Sequence, residues 1–498
     1  MLAGLKRFFG YGPVVPAKPT RAQAVAMQQI KARYDNAQLT DENRRQWWMA
    51  DVLSAKAANS FQVRRQLRMR SRYEVANNPY LFGIANSNAD DLIDAGPTLQ
   101  VTTGKNSFNR QIEQAWSDWC AAVGLVEKLR TAKLAKTVDG EGFLAFKTVK
   151  DLEHPVKLYP MDIEADQVTT PAPKDLGQLW VDGLTLHPVT GRPVKFHVLK
   201  HHPGDFFFPD FNPLAVEEVP ARFIVHWFRK FRPGQVRGIP EFTAALDLFG
   251  ELRSFRKSVL THARAAAQHT AVIKNTGAPW STEAGDTPEP WDPIPIDNGT
   301  MCVLPDQAEL QAFPNVQPGT TYEMFQEKCL GEACRPIAYP LNLALGTSQK
   351  FNFSSARLDH INYRQSLRIE RGDCETVVLE AIFRAWLEEA ALVPHLLPAG
   401  VTYATTPHEW HWPGFPLLDV QSETQADLAQ LAGGTQTWRE FWATRGRDWR
   451  EVMKQLADEK AEIEKLGLRF GEPVKKSVTV RDELTDGDSS EAAEVANA

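Results

Sequence analysis

The spacings that usually betray catalysis are missing from this 498-residue chain. There is no GxxxxGK[ST] loop to cradle a nucleotide, no GxSxG elbow to present a serine nucleophile, and no HExxH helix to hold zinc. The commonest routes to an NTPase, a serine hydrolase or a zinc peptidase are thereby removed. Cysteine is scarce and unpatterned: Cys120, Cys302, Cys329, Cys334 and Cys374 are odd in number and form no CxxC pair, so they read as reduced thiols in a cytosolic compartment. No apolar run approaches the length of a bilayer span. Met1–Gly10, MLAGLKRFFG, lacks the apolar region and cleavage site of a secretory signal. Net charge is small, -6 at pH 7. That argues against a protein that coats nucleic acid non-specifically, while allowing one past which DNA slides.

The near misses are few. His408-Glu409-Trp410-His411 is one residue short for two histidines on a single helical face, and it lies between Pro407 and Pro413, so it reads as a packed aromatic turn. His201-His202, before Pro203-Gly204, also reads as a turn. Asp162, Glu164 and Asp166 alternate as a strand would place them, on one face. They are ordinary surface acids or the Mg²⁺ ligands of a nuclease, and no matching second cluster follows. Cys329 and Cys334, five apart on an expected helix, make a poor ligand pair; Arg371-Gly372-Asp373 and Asn298-Gly299-Thr300 are coincidences of spelling. No catalytic residue, metal or cofactor is assigned.

Hydrophobic content of 43% with 24% charged residues is ordinary for a soluble globular protein, and the length allows two to four domains with a substantial core. Tryptophan is abundant, with fourteen residues; Trp47, Trp48, Trp227, Trp386, Trp438, Trp442 and Trp449 lie where they can anchor subunit contacts. The chain is organised around Arg232–Lys274. Pro233-Gly234 makes a turn, Pro240 suits a first helical turn, and Glu241 suits the positive end of the helix dipole. Ala245, Phe249, Leu252, Phe255, Val259, Ala263 and Ala266 then form an apolar stripe on a helix of roughly 40 Å. Arg253, Lys257 and Arg264 fall in a narrow arc beside that stripe. They form either a solvated basic edge or a charged face turned to an interface or channel.

Before this helix, the run Arg64, Arg65, Arg68, Arg70 and Arg72 predicts a helix with a basic outer face, solvated or contacting DNA or a scaffold. Residues 107–138 are helical by periodicity, Asp139-Gly140 is a turn, and residues 155–225 are rich in strands. After it, residues 275–315 form a Pro- and Gly-rich excursion, strand-like at MCVLP, that returns through a short helix, Thr321–Arg335. A polar loop follows, then a long helix over Ala356–Leu392 with Ser354 or Ser355 as N-cap. Asp419–Leu466 is helical in two pieces broken at Gly433-Gly434, and the acidic segment after Val474 is expected to be disordered. The fold class is α+β, predominantly helical.

YDNAQLTDENRRQWW, RRQLRMRSRYEVANNPYLFGI, AGPTLQ, VDGEGF, IEADQV, the GRPV strand and above all HWFRKFRPGQVRGIP resemble the portal proteins of tailed bacteriophages, lambda-type branch, in the expected order from about Tyr34 to Leu466. The resemblance implies a dodecameric ring, located in the virion at the capsid portal vertex and in the host cytoplasm during assembly. Double-stranded DNA enters and leaves through it. It implies docking to large terminase, a head–tail adaptor, and major capsid and scaffold proteins, with no membrane partner. By this resemblance residues 1–33 are a mobile arm, 34–240 an α/β wing, 241–267 and 319–335 the stem helices, and 268–318 the clip, with Trp280 and Trp291 as partner-binding anchors. Residues 336–421 hold a tunnel loop and the long wing helix, 422–466 a helical crown, and 467–498 a disordered tail. The tunnel loop, Asn342–Phe353, offers Gly346 for a bend, Thr347, Ser348, Gln349 and Asn352 for transient hydrogen bonds to phosphate, and Lys350 as one cation per subunit. A non-portal head morphogenesis protein and a Mg²⁺-dependent nuclease of the packaging machinery are the alternatives.

Overall fold

Asn78-Pro79 punctuates the first helices as its chemistry requires: the Asn78 side chain accepts the Tyr80 N–H at 3.1 Å, and Pro79 sits where a helix has no use for its missing donor. In the computed structural model, residues 41–170, 180–205, 215–268, 271–275, 308–312, 320–416 and 419–467 are described. Helices α1 (Asp41–Gln46), α2 (Ala55–Ala58), α3 (Phe61–Asn77) and α4 (Pro79–Ile93) lead to strand β1 (Thr98–Val101). The helical stretch expected over residues 107–138 is two helices, α5 (Asn106–Val123) and α6 (Leu125–Val138), because Gly124 adopts φ 64° and turns the chain between them.

Strand β2 (Glu141–Thr148) is the hub of the β region. It pairs antiparallel with β3 (Leu158–Ile163) on one side and β8 (Ile224–Phe228) on the other. Alternation sends Leu144 and Phe146 into the main core and Phe143 and Ala145 into a second, smaller one, so both faces are apolar, as a doubly covered strand needs. The second core is closed by a meander of β4 (Trp180–Val181), β5 (Leu184–Leu186), β6 (Pro193–Leu199) and β7 (Val216–Pro220).

The organising helix begins later than its sequence suggests. Pro240-Glu241 is not its first turn; a 3₁₀ turn at Thr243–Ala245 intervenes and α7 covers Leu246–Gln268. Beyond it, β9 (Ala271–Asn275) pairs antiparallel with β10 (Ala308–Ala312), and α8 (Thr320–Cys334) returns. The MCVLP strand, Trp280, Trp291, the N-terminal arm and the acidic tail lie outside the described residues.

Helix α9 (Leu341–Leu345) occupies part of the expected tunnel loop, and Gly346 ends it at φ 67°. Asn352, not Ser354 or Ser355, precedes α10 (Phe353–Cys374), which runs through a π-helical turn at Glu375–Leu379 into α11 (Glu380–Ala390). The HEWH segment is not a turn: it is strand β11 (His408–His411), paired with β1 from Thr98↔His411 to Val101↔His408. Three terminal helices follow, α12 (Val420–Ala432), α13 (Trp438–Ala443) and α14 (Trp449–Lys465), one break more than expected.

The main core is aromatic at its centre, with Trp116 packed edge-on to Phe383 at 5.4 Å and Trp386 at 5.2 Å. Trp386 and Trp227 are fully buried within the chain, so burial removes them as the contact anchors expected of them; Trp47, Trp48 and Trp438 are exposed.

Candidate functional site

Three constellations converge on the segment from Arg237 to the end of α8. The first lies just ahead of α7, where the VDGEGF and QVRGIP segments meet. A Cβ on Gly238 would lie 2.0 Å from the Gly140 carbonyl oxygen, and one on Gly140 would lie 2.2 Å from the Ile239 backbone, so only glycine permits the contact. The approach puts Arg237 on Glu141, its Nη2 donating at 2.5 Å and its Nε at 2.8 Å. Burial would raise the Glu141 carboxyl, but Arg237 and the His226 hydrogen bond hold it well below the usual range. Arg64 donates to Asp182 at 2.8 Å, Arg68 approaches Glu141 at 3.6 Å, and Arg72 grips Asp139 at 2.6 Å and 2.7 Å. Arg64 and Arg68 are buried, which corrects the basic outer face expected of this helix: only part of the run points outward. Burial and the neighbouring Arg237 push Arg64 down to about 10.

This arrangement also separates the three acids that were candidate Mg²⁺ ligands. Asp162 pairs with Lys128 at 3.2 Å, whereas Asp166 and Glu164 face Arg72 at 2.8 Å and 3.3 Å. They do not share one face, because the chain leaves β3 after Ile163. Glu164, Asp166 and His202 do come together, with a guanidinium already among them.

The second constellation fixes the start of α7. Glu241 is buried; its Oε1 accepts Lys136 Nζ at 2.6 Å, and its Oε2 accepts Lys133 Nζ and Thr137 Oγ1, both at 3.1 Å. Glu370, from α10, accepts Lys133 at 2.6 Å and also takes Lys136. Two lysines of α6 thus tie the approach to α7 and the helix α10 to one point. Burial works to raise Glu241, but Lys133 and Lys136 bring it down to about 2.

The third is the α7–α8 pair. Leu246, Phe249 and Leu252 are buried at its root, as are Leu330, Ala333 and Cys334. Further out, Phe255 meets Tyr322 at 5.8 Å and Phe325 at 4.9 Å. There the cover stops: Leu260, Met324 and Phe325 are 51%, 59% and 49% exposed. Of the arc beside the stripe, Lys257 and Arg264 are exposed, while Arg253 is spent within the subunit, its Nη2 donating to Glu74 at 2.8 Å. The Glu74 hydrogen bond raises the Arg253 pKa, against a smaller effect of burial.

The loop after α9 lies against α8. Thr347, Ser348, Gln349, Lys350 and Asn352 are all exposed, as a contact surface needs. Lys350 is not an open cation: it pairs with Glu323 at 2.5 Å and Glu327 at 2.9 Å, whose hydrogen bonds raise its pKa. With two carboxylates against one ammonium, the local charge is negative. Sequence reasoning missed Glu323 and Glu327, although their four-residue spacing on a helix was a readable signal.

The chain matches the family model described as phage portal protein, lambda family, over residues 41–371. Among solved structures, it is similar to a chain from the neck of a native gene transfer agent particle computed with C12 symmetry, at 11% identity and a TM-score of 0.41 over 74% of this chain and 89% of that one. A chain from the virion of a native gene transfer agent particle gives 12% identity and a TM-score of 0.40 over 76% of this chain and 93% of that one.

Proposed function

The chain belongs to the lambda family of phage portal proteins, and on that premise we propose that it assembles into a closed, dodecameric ring at one capsid vertex, through which double-stranded DNA is packaged, retained and released. The observation that carries this reading is the α7–α8 pair, packed at its root and uncovered over its outer half. From Arg256 onward α7 carries Arg256, Lys257, His262 and Arg264 and no carboxylate, whereas α8 carries Glu323, Glu327 and Glu332 against Lys328. In a ring of identical copies each contact is heterologous, so the basic α7 of one subunit can lie beside the acidic α8 of the next while the exposed apolar residues close the joint.

In this reading α7 and α8 are the stem, residues 268–318 the clip that docks terminase and later the adaptor, and residues 346–352 a tunnel loop held against the stem by Lys350. Residues 34–240 form the wing and 422–466 the crown. Lys257 and Arg264 face the channel or the neighbouring subunit. Replacing both with Glu separates these roles. Loss of rings assigns them to the interface, and intact rings with less packaged DNA assign them to the channel. Intact rings that package normally would remove them from the mechanism. Divalent-dependent DNA cleavage by the purified protein, abolished by Glu164→Ala, would favour the nuclease reading instead.

A further inference from the structure

The HWFRKFRPG segment does more than lead into α7. With Lys56 of α2 and the turn between β5 and β6, its outer half forms an open cleft of about 470 Å³. Four cations line it, Lys56, Arg192, Lys230 and Arg232, with Phe228 and Phe231 between them, and no acidic residue does. None of the four meets a carboxylate among the described residues. Arg232 donates to the Leu53 carbonyl at 3.0 Å, Arg192 leans on Thr190 Oγ1 at 3.4 Å, and Lys230 lies 5.8 Å from the Phe228 ring. Arg64, Arg72, Arg237 and Arg253, by contrast, all have carboxylate partners.

The turn that carries Lys230 and Arg232 is held in shape. Gln235 is buried, and its Oε1 accepts the N–H groups of Phe231 at 2.8 Å and Arg232 at 3.3 Å, while its Nε2 donates to the Arg237 carbonyl at 2.9 Å. Gly234, at φ 78°, lets the chain close that loop. Residue 237 is in turn locked onto Glu141. Lys230 and Arg232 therefore project from a fixed frame, which lowers the ordering cost of binding an anion there.

We propose that this cleft binds the phosphodiester backbone of nucleic acid, at a site separate from α7, α8 and the 346–352 loop. The residue types favour phosphate over a carboxylate peptide. Two guanidinium forks suit phosphate bidentately, and Phe231, 52% exposed beside them, offers a stacking face to a base or sugar. Duplex and single strand share that chemistry, so the probes must distinguish them.

The test uses the full-length protein with a fluorescent 20-base-pair duplex, a single strand of the same length, and a poly-glutamate peptide. Hydrogen exchange over residues 228–236 reports which probe occupies the cleft. Arg192→Glu combined with Lys230→Glu changes two exposed side chains whose loss leaves the Gln235 frame untouched. Protection by a nucleic acid, with an affinity lowered on the order of tenfold or more in the double variant, is the expected result. The slope of log affinity against log salt should flatten by about 0.9 per lost phosphate contact for duplex, or about 0.7 for single strand. Protection by duplex or by single strand identifies the source. An unchanged affinity and slope in the variant would overturn the proposal, since binding would then lie in the channel or elsewhere. Protection by poly-glutamate alone would also overturn it and make the cleft an acidic-peptide site.

Discussion

Neutralising Glu241 tests whether the approach to α7 is held electrostatically. In Glu241→Gln the side chain keeps its size but leaves Lys133 and Lys136 facing a single carboxylate, Glu370. The carboxyl stands at about 2 against an ordinary 4.5. At ~1.36 kcal/mol per pH unit, that difference corresponds to roughly 3 kcal/mol of folded-state stabilisation at neutral pH, in line with the ~3–5 kcal/mol lost when one partner of a buried pair is removed. Because the folded pKa is the lower one, the stabilisation is present above pH 4.5 and disappears as pH falls toward 2. Urea unfolding of wild type and variant, followed by tryptophan fluorescence at equal protein concentration, should show a gap of roughly 3 kcal/mol at pH 7 that shrinks to less than half by pH 3. A gap of similar size at both pH values would mean that Gln fails there for reasons of packing. Coincident curves at pH 7 would refute the ion cluster as a source of stability.

Lys350→Ala should free the 346–352 loop from α8: hydrogen exchange there should accelerate while the unfolding midpoint stays in place, and unchanged exchange would show that Glu323 and Glu327 do not hold the loop. Leu260→Ser alters a side chain that is 51% exposed in the subunit, so its own stability should move by no more than ~0.5 kcal/mol while ring assembly weakens. Native mass spectrometry at matched concentration reads the second effect, and undiminished assembly would place Leu260 outside the joint. Replacing Gly238 with Ala forces a Cβ to within 2.0 Å of the Gly140 carbonyl oxygen and should abolish soluble expression; a stable variant with an intact circular dichroism spectrum would show that the contact can relax.

Local signals in the sequence carried part of this. The proline-free apolar repeat located α7 and the α10–α11 rod. What stayed illegible depends on partners far along the chain. The Arg run looked like a solvated face because Arg64 finds its partner 118 residues away, at Asp182. Glu241 resembled an N-terminal helix acid, yet its lysines lie more than 100 residues earlier. The HEWH strand was hidden by flanking prolines and by a partner strand 313 residues back at Thr98. Lys350 was singled out for its charge, while the carboxylates that neutralise it sit on α8, 23 and 27 residues earlier, and only folding brings them together.

The ring is the central claim, and electron microscopy of the purified full-length protein tests it most directly. Class averages with rotational symmetry around a central hole, wide enough for duplex DNA, are predicted. Isolated subunits at micromolar concentration, with no rings even when capsid protein is present, would contradict the account.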